Sequence, residues 1–260
     1  MKKVRAKKYL GQHFLNDDSI AHKIVESLQA PPSQTIEVGP GMGVLTRFLI
    51  DRADLDMRYV EIDHESIIFL LKQYPSIKER LIETDFLKID INEIFPVGEC
   101  SIIGNFPYHI SSQILFKVLE NRDKVHSLVG MVQREVGKRI ASGPGSKEYG
   151  ILSVLLQSFY KVEYLFTVDE NVFTPPPKVK SGVIRMTRNK ITKLNCDEHL
   201  FKKVVKTAFN QRRKTLRNSL SKLPINIDSI KHLPIFGLRP EQLSVQEFQE
   251  LAGMIGGLCT

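Results

Sequence analysis

The stretch Thr35-Ile36-Glu37-Val38-Gly39-Pro40-Gly41-Met42-Gly43-Val44-Leu45-Thr46-Arg47-Phe48-Leu49-Ile50 decides the fold. Thr35–Val38 reads as a short strand. Three glycines within five positions force a turn, and an apolar helical run follows from Val44 to Ile50. Strand, glycine turn and helix in that order begin a doubly wound α/β sheet of the nucleotide-binding kind. The glycines let the backbone approach a ligand closely. The dinucleotide fingerprint is not met, because the position of its third glycine holds Val44. A glycine loop alone therefore leaves the ligand open.

The next segments narrow it. Met57–Val60 reads as a second strand ending at Glu61-Ile62-Asp63, where an acid can accept from both hydroxyls of a ribose. A helix is expected over 64–74, with Ile67, Ile68, Leu70 and Leu71 apolar. A third strand, Arg80–Thr84, ends at Asp85-Phe86, where a carboxylate can accept from the exocyclic amine of an adenine. A fourth, Ser101–Gly104, ends at Asn105-Phe106-Pro107-Tyr108. Gly39, Glu61, Asp85 and Asn105 thus recur every 20 to 24 residues, each where a parallel strand should stop. In open α/β sheets the ligand lies outside those ends. Packing explains one polar tip more readily than four.

The fourth tip has chemistry of its own. The Asn105 side-chain oxygen and the Phe106 carbonyl can both accept from a single NH2 group. Pro107 locks φ, and Tyr108 offers a face on which a base can stack. In isolation the same residues would pass for an ordinary Asn-Pro turn.

Farther out, Asp17, Asp18 and Ser19 begin a helix carrying Ile20, Ile24, Val25 and Leu28, which Pro31-Pro32 should end. Beyond the fourth strand the reading is a helix from Ser111, a strand over 129–132 and a helix over 134–140. The loop Ser142–Ser146, a mixed apolar run over 149–159 and a strand over 161–168 come next. A stiff extended segment, Phe173–Lys178, precedes a closing strand over 179–186. A polar, basic linker near 187–194 divides the chain into a sheet domain, 1–188, and a small helical domain, 189–260. In the latter, Phe201, Val204, Val205, Ala208 and Phe209 share a face. Ser244 and Glu247 form a capping box, with Leu243 and Phe248 placed for a staple.

The 260 residues carry a net charge of +8, unevenly spread. Residues 1–8 hold five Lys or Arg, residues 201–222 hold eight, and neither run contains an acid. Such clustering suits a polyanionic partner. Cys100, Cys196 and Cys259 are odd in number and widely spaced. They suggest neither a metal site nor a disulfide framework, and a reducing cytoplasm is the expected home. No apolar run approaches the ~20 residues of a membrane span. A nicotinamide oxidoreductase would share the strand-glycine-helix start, but Val44 and the Asn-Phe-Pro-Tyr tip argue against it.

The stretches Gly11–Leu15, Glu37–Gly43, Glu61–Asp63, Asp85, Gly104–Tyr108, Gln133–Val136, Phe173–Val179 and Phe209–Lys214 together resemble the ribosomal RNA adenine N6,N6-dimethyltransferases, in particular the bacterial small-subunit branch. The resemblance implies a Rossmann-like class I methyltransferase sheet with a helical C-terminal RNA-binding domain, and S-adenosylmethionine as methyl donor. It implies that His13 and Leu15 line the methionine end, that Gly39, Gly41 and Gly43 form the loop beneath, and that Glu61 holds the ribose. Ile62 and Phe86 would sandwich the adenine and Asp85 would take its amine. Asn105, Phe106, Pro107 and Tyr108 would be catalytic, with Asn105 touching both donor and target. Tyr108 and Phe173 would stack the target base, and Arg212, Arg213 and Lys214 would grip RNA. The family usually carries Leu where this chain has Phe106, a change the working carbonyl should tolerate. The implied reaction dimethylates two adjacent adenosines in a loop near the 3′ end of small-subunit rRNA, on a pre-ribosomal particle, by a monomer. A large-subunit adenine methyltransferase and a non-catalytic assembly factor are the alternatives; the Phe209–Lys214 match favours the small-subunit enzyme.

Overall fold

The computed structural model describes residues 4–28 and 33–258. Pro31, Pro32, Cys259 and the first three residues of the basic N-terminus lie outside them. The strands of the main sheet are β1 (Gln34–Val38), β2 (Asp56–Glu61), β3 (Leu81–Glu83), β4 (Cys100–Asn105), β5 (Val125–Gln133), β6 (Tyr160–Val168) and β7 (Ser181–Arg188). They lie in the order β3-β2-β1-β4-β5-β7-β6. β1 pairs in parallel with β2 and β4, β2 with β3, and β4 with β5; β7 runs antiparallel to β5. The central strands β1, β4 and β5 are buried almost throughout, because helices cover both faces of a parallel sheet. The edge strands β3 and β6 are mostly half-exposed.

The helices follow their sequence signals. α1 (Asp18–Glu26) starts at Asp17, whose carboxylate accepts from Ile20 N at 3.1 Å, and buries Ala21, Ile24 and Val25. α2 (Thr46–Leu49) is short. The turn Gly41–Leu45 takes up the first part of the run expected to be helical. α3 (His64–Gln73) is capped by Asp63 and buries Ile67 and Leu70. α4 (Ile91–Ile94), α5 (Ser111–Glu120) and α6 (Arg134–Ala141) follow β3, β4 and β5. Ile114, Leu115, Val118 and Leu119 form the buried face of α5. β5 begins four residues before the strand read from the sequence and runs one residue past it. Phe14–Leu15 pairs antiparallel with Phe173–Thr174, a two-residue ribbon apart from the main sheet.

The chain divides into two compact units, residues 1–137 with Glu163–Arg188, and residues 138–162 with Asn189–Thr260. The second unit therefore includes residues 138–162, which the sequence reading assigned to the sheet domain. It contains α7 (Ile151–Gln157), α8 (Glu198–Asn210), α9 (Leu216–Ser219) and α10 (Val245–Gly256). Phe201, Val204, Val205 and Ala208 of α8 and Phe248, Leu251, Ala252 and Ile255 of α10 are buried. The Phe209 ring meets Tyr149 at 6.2 Å and Phe248 at 5.7 Å between centroids. Ser244 and Glu247 close the expected capping box: Ser244 N donates to Glu247 Oε2 at 2.7 Å and Glu247 N to Ser244 Oγ at 3.2 Å.

Candidate active site

β1 and β4 are neighbours in the sheet, yet the chain leaves them in opposite directions, β1 toward β2 and β4 toward β5. That reversal opens a crevice at their carboxyl ends. Gly39, Glu61, Asp85 and Asn105 all line it. Backbone bonds tie the tips together: Gly39 N donates to Val60 O at 2.9 Å, Thr84 N to Glu61 O at 2.9 Å and Phe106 N to Met131 O at 3.1 Å. His13, Leu15, Gly41, Ile62, Phe86, Phe106, Pro107 and Tyr108 line the same crevice.

Glu61 is only 4 % exposed. Its Oε2 accepts from Gly41 N at 2.9 Å, and its Oε1 from Ile62 N at 2.8 Å and Asp63 N at 2.9 Å. Burial pushes its carboxyl above the usual range, against the pull of those three amides. A carboxylate has about four acceptor positions. Three are taken by backbone amides, and the carboxylate keeps acceptor capacity on Oε2 toward the crevice. Glu37, one of the crevice walls, is 1 % exposed and accepts from Thr46 Oγ1 at 2.8 Å. Burial raises its carboxyl to about 8.

At the fourth tip, Asn105 Nδ2 donates to His13 O at 3.0 Å, which orients the amide and keeps Oδ1 as its acceptor. The His13 ring stacks on Tyr108 with centroids 5.6 Å apart, and its Nδ1 donates to Pro175 O at 2.7 Å. The Tyr108 hydroxyl bonds Ser181 Oγ at 2.6 Å. The Phe106 ring is buried against Gly104 and Gly130; a Cβ on Gly130 would come within 2.1 Å of it. Those two glycines make room for Phe106.

Three expected site residues lie elsewhere. Phe173 is 3 % exposed and packs in the hydrophobic core, so its ring offers no face to a base. Gly43 turns away behind the loop: it has a φ of 77°, and a Cβ there would come within 2.7 Å of Tyr74. Arg212, in the turn after α8, donates to Ser146 O at 3.0 Å and lies 3.9 Å from Glu241. It binds the second unit to itself. Arg213 and Lys214, beside it, are exposed.

The sequence reading passed over other residues. Lys117 on α5 donates to Ile89 O at 2.6 Å and Leu87 O at 3.2 Å, and its ammonium lies 5.7 Å from the Phe86 ring centroid. It therefore steadies the loop that presents Asp85. No local pattern signals a lysine about 30 residues from the loop it holds. Glu37 did carry a signal, an acid inside an apolar strand. Leu10, Gly11 and Gln12, next to the expected His13, line the crevice too.

The crevice suits a nucleoside ligand: Glu61 and Asp85 line it as acceptors, and a Cβ at Gly39 would meet nothing within 4 Å. Asp85 spends Oδ1 on Leu87 N at 2.9 Å and keeps Oδ2. Among the described residues no cluster of His, Cys, Asp and Glu is placed to hold a metal ion, and no helix is long and apolar enough to cross a membrane.

This strand order, with these strand tips, defines a class I S-adenosylmethionine-dependent methyltransferase. A dimethyladenosine transferase from Plasmodium falciparum shares the fold at a TM-score of 0.78 and 24 % identity, over 92 % of this chain and 96 % of that one. The 23S rRNA methyltransferase ErmE matches at 0.66 and 25 %, over 91 % and 99 %. The chain belongs to the ribosomal RNA adenine dimethylase family, whose match spans residues 3–232. It is 56 % identical over 260 residues to the ribosomal RNA small subunit methyltransferase A of Cytophaga hutchinsonii, covering 99 % of this chain and all of that protein. The methyl donor is S-adenosylmethionine and the reaction is dimethylation of adenine in ribosomal RNA.

Proposed function

We propose that this protein dimethylates N6 of two adjacent adenosines in a loop near the 3′ end of small-subunit rRNA, acting on a pre-ribosomal particle. The observation that carries the reading is the Asn105 amide, pinned by His13 O at the mouth of the crevice shared with Gly39, Glu61 and Asp85. Identity supports the choice of subunit, 56 % to the small-subunit enzyme against 25 % to the 23S enzyme.

The N6 lone pair of adenine is delocalised into the ring and is a poor nucleophile. Asn105 Oδ1 and the Phe106 carbonyl accept its two hydrogens and draw the nitrogen toward tetrahedral geometry, which localises the pair. Pro107 holds the two acceptors in register, and Tyr108, backed by His13, stacks the base. S-adenosylmethionine supplies an electrophilic methyl group on a sulfonium. Gly39 and Gly41 line its methionine end with His13 and Leu15. Glu61 holds a ribose hydroxyl, Asp85 accepts from the adenine amine, and Ile62 and Phe86 flank the adenine ring. Rate enhancement comes from orientation and fixed dipoles, without a covalent enzyme intermediate. The target base must leave its stack to reach the crevice. Arg213 and Lys214 of the second unit contact the RNA backbone.

The test is Asn105→Ala. Methyl incorporation into rRNA of immature small subunits should fall to background, while calorimetry shows S-adenosylmethionine still bound within about ten-fold of wild-type affinity, the loss of one hydrogen bond. Normal turnover in the variant would remove Asn105 from the chemistry.

A further inference from the structure

Once one base is drawn into the crevice, the next base in the strand loses a stacking partner, and an exposed aromatic residue, Tyr9, directly precedes the crevice-lining segment. Tyr9 is 76 % exposed. It sits on a single 3-10 turn, Lys8–Leu10, closed by Gly11 in the left-handed region, with Gly11 N donating to Lys8 O at 3.0 Å. The next four residues, Leu10 to His13, line the crevice. Lone exposed aromatics are common on protein surfaces, so exposure alone carries nothing.

Two further observations set Tyr9 apart. First, the segment bearing it is anchored on both sides. On one side Lys7 Nζ pairs with Asp63, while Lys7 N donates to Gln12 Oε1 at 2.9 Å. On the other, Gln12 Nε2 donates to Asp63 Oδ2 at 3.0 Å and His13 Nδ1 to Pro175 O at 2.7 Å. Asp63 is buried, which works to raise its carboxyl, but the bonds from Lys7, Gln12 and Ser66 outweigh that and hold it below the usual range. It stays an anion and keeps the strap closed. Tyr9 therefore rides on a fixed turn. Second, Arg5 and Lys8 precede it on the same short segment, both exposed and neither ion-paired among the described residues, whereas Lys7 is committed to Asp63 and Glu65. An exposed aromatic on a short segment with exposed cations is the pattern by which proteins hold a base together with its phosphates in single-stranded nucleic acid.

We propose that Tyr9 is the stacking platform for a nucleotide neighbouring the target adenosine, with Arg5 and Lys8 on the adjoining phosphates. The inference rests on the assignment of the crevice to a flipped adenine.

The test uses the full-length protein and immature small subunits whose rRNA carries 2-aminopurine on either side of the target. Wild-type protein should methylate these particles and quench the probe at one neighbour. Tyr9→Ala should lose that quenching and lower kcat/KM for RNA roughly ten-fold, the value of one lost base stack. Tyr9→Phe should keep both, and all three proteins should bind S-adenosylhomocysteine equally. Arg5→Gln with Lys8→Gln should weaken RNA binding and flatten its salt dependence. A Tyr9→Ala protein that quenches and turns over like wild type would overturn the platform while leaving the crevice assignment standing. A Tyr9→Ala protein that loses S-adenosylhomocysteine affinity would also overturn it, since the turn would then serve the cofactor. A wild type that methylates no small-subunit rRNA would sink the crevice assignment and the platform with it.

Discussion

Glu37 and Glu61 are both carboxyls in one crevice, yet their surroundings set them apart. Glu61 is held by three backbone amides, whereas at Glu37 burial outweighs the hydrogen bonds from Thr46 and lifts it to about 8. In an unfolded chain the group ionises near 4.5. Between those values the folded protein binds one more proton than the unfolded chain. The stability this contributes is complete below the unfolded value and is lost as pH rises through about 8. Glu37→Gln keeps an acceptor for Thr46 but cannot ionise. Urea midpoints from pH 5 to 9 should therefore fall more steeply with pH for wild type than for the variant. Parallel profiles would mean that Glu37 is already ionised at pH 5. Asn105 shows the complementary principle: its residue type was readable as a double acceptor, but the bond that aims it, to His13 O, joins residues 92 apart.

At the scale of elements, each strand tip is placed by its own strand and steadied by something remote. The β3 tip is the clearest example. Asp85 follows a three-residue edge strand, with little pairing to hold it. Lys117, reaching across from α5, holds the Leu87 and Ile89 carbonyls and covers Phe86. Lys117→Met should keep the aliphatic cover and lose both bonds. S-adenosylhomocysteine affinity should drop roughly ten-fold, as for one to two charge-assisted bonds partly replaced by water. The rate at saturating cofactor should change little, and Lys117→Arg should recover part of the affinity. Calorimetry beside single-turnover rates reads this directly; an unchanged affinity would mean that the loop keeps its shape without the lysine. Helix starts, by contrast, depend on neighbours within three residues. That is why Asp17 and the Ser244–Glu247 box were readable in advance.

For the molecule as a whole, charge is the property that its RNA partner would sense first. The basic run over 201–222 is not one continuous face. Arg212 is turned inward onto Ser146 and Glu241, while Arg213, Lys214 and Arg217 remain exposed. Replacing Arg213 and Lys214 by Gln should weaken RNA binding at low salt and lower the slope of log K against log salt by about one to two, without loss of stability. Replacing Arg212 should instead destabilise the second unit and show in its melting. Filter binding over a salt series, read beside thermal melts, separates the two; equal salt slopes for wild type and the double variant would place the RNA contact elsewhere.

The amino-acid order alone settled the alternation of strand and helix, the four polar tips and the capped helix starts, because each depends on residue type and short spacing. Burial undid the expectation for Phe173: an aromatic beside a proline run looks available until the core closes over it. Folding likewise decided which of three neighbouring cations are free, that residues 138–162 join the second unit, and that Lys117 serves the β3 loop. These outcomes turn on which distant backbone atoms come within 3 Å of a side chain, and no local pattern carries that distance.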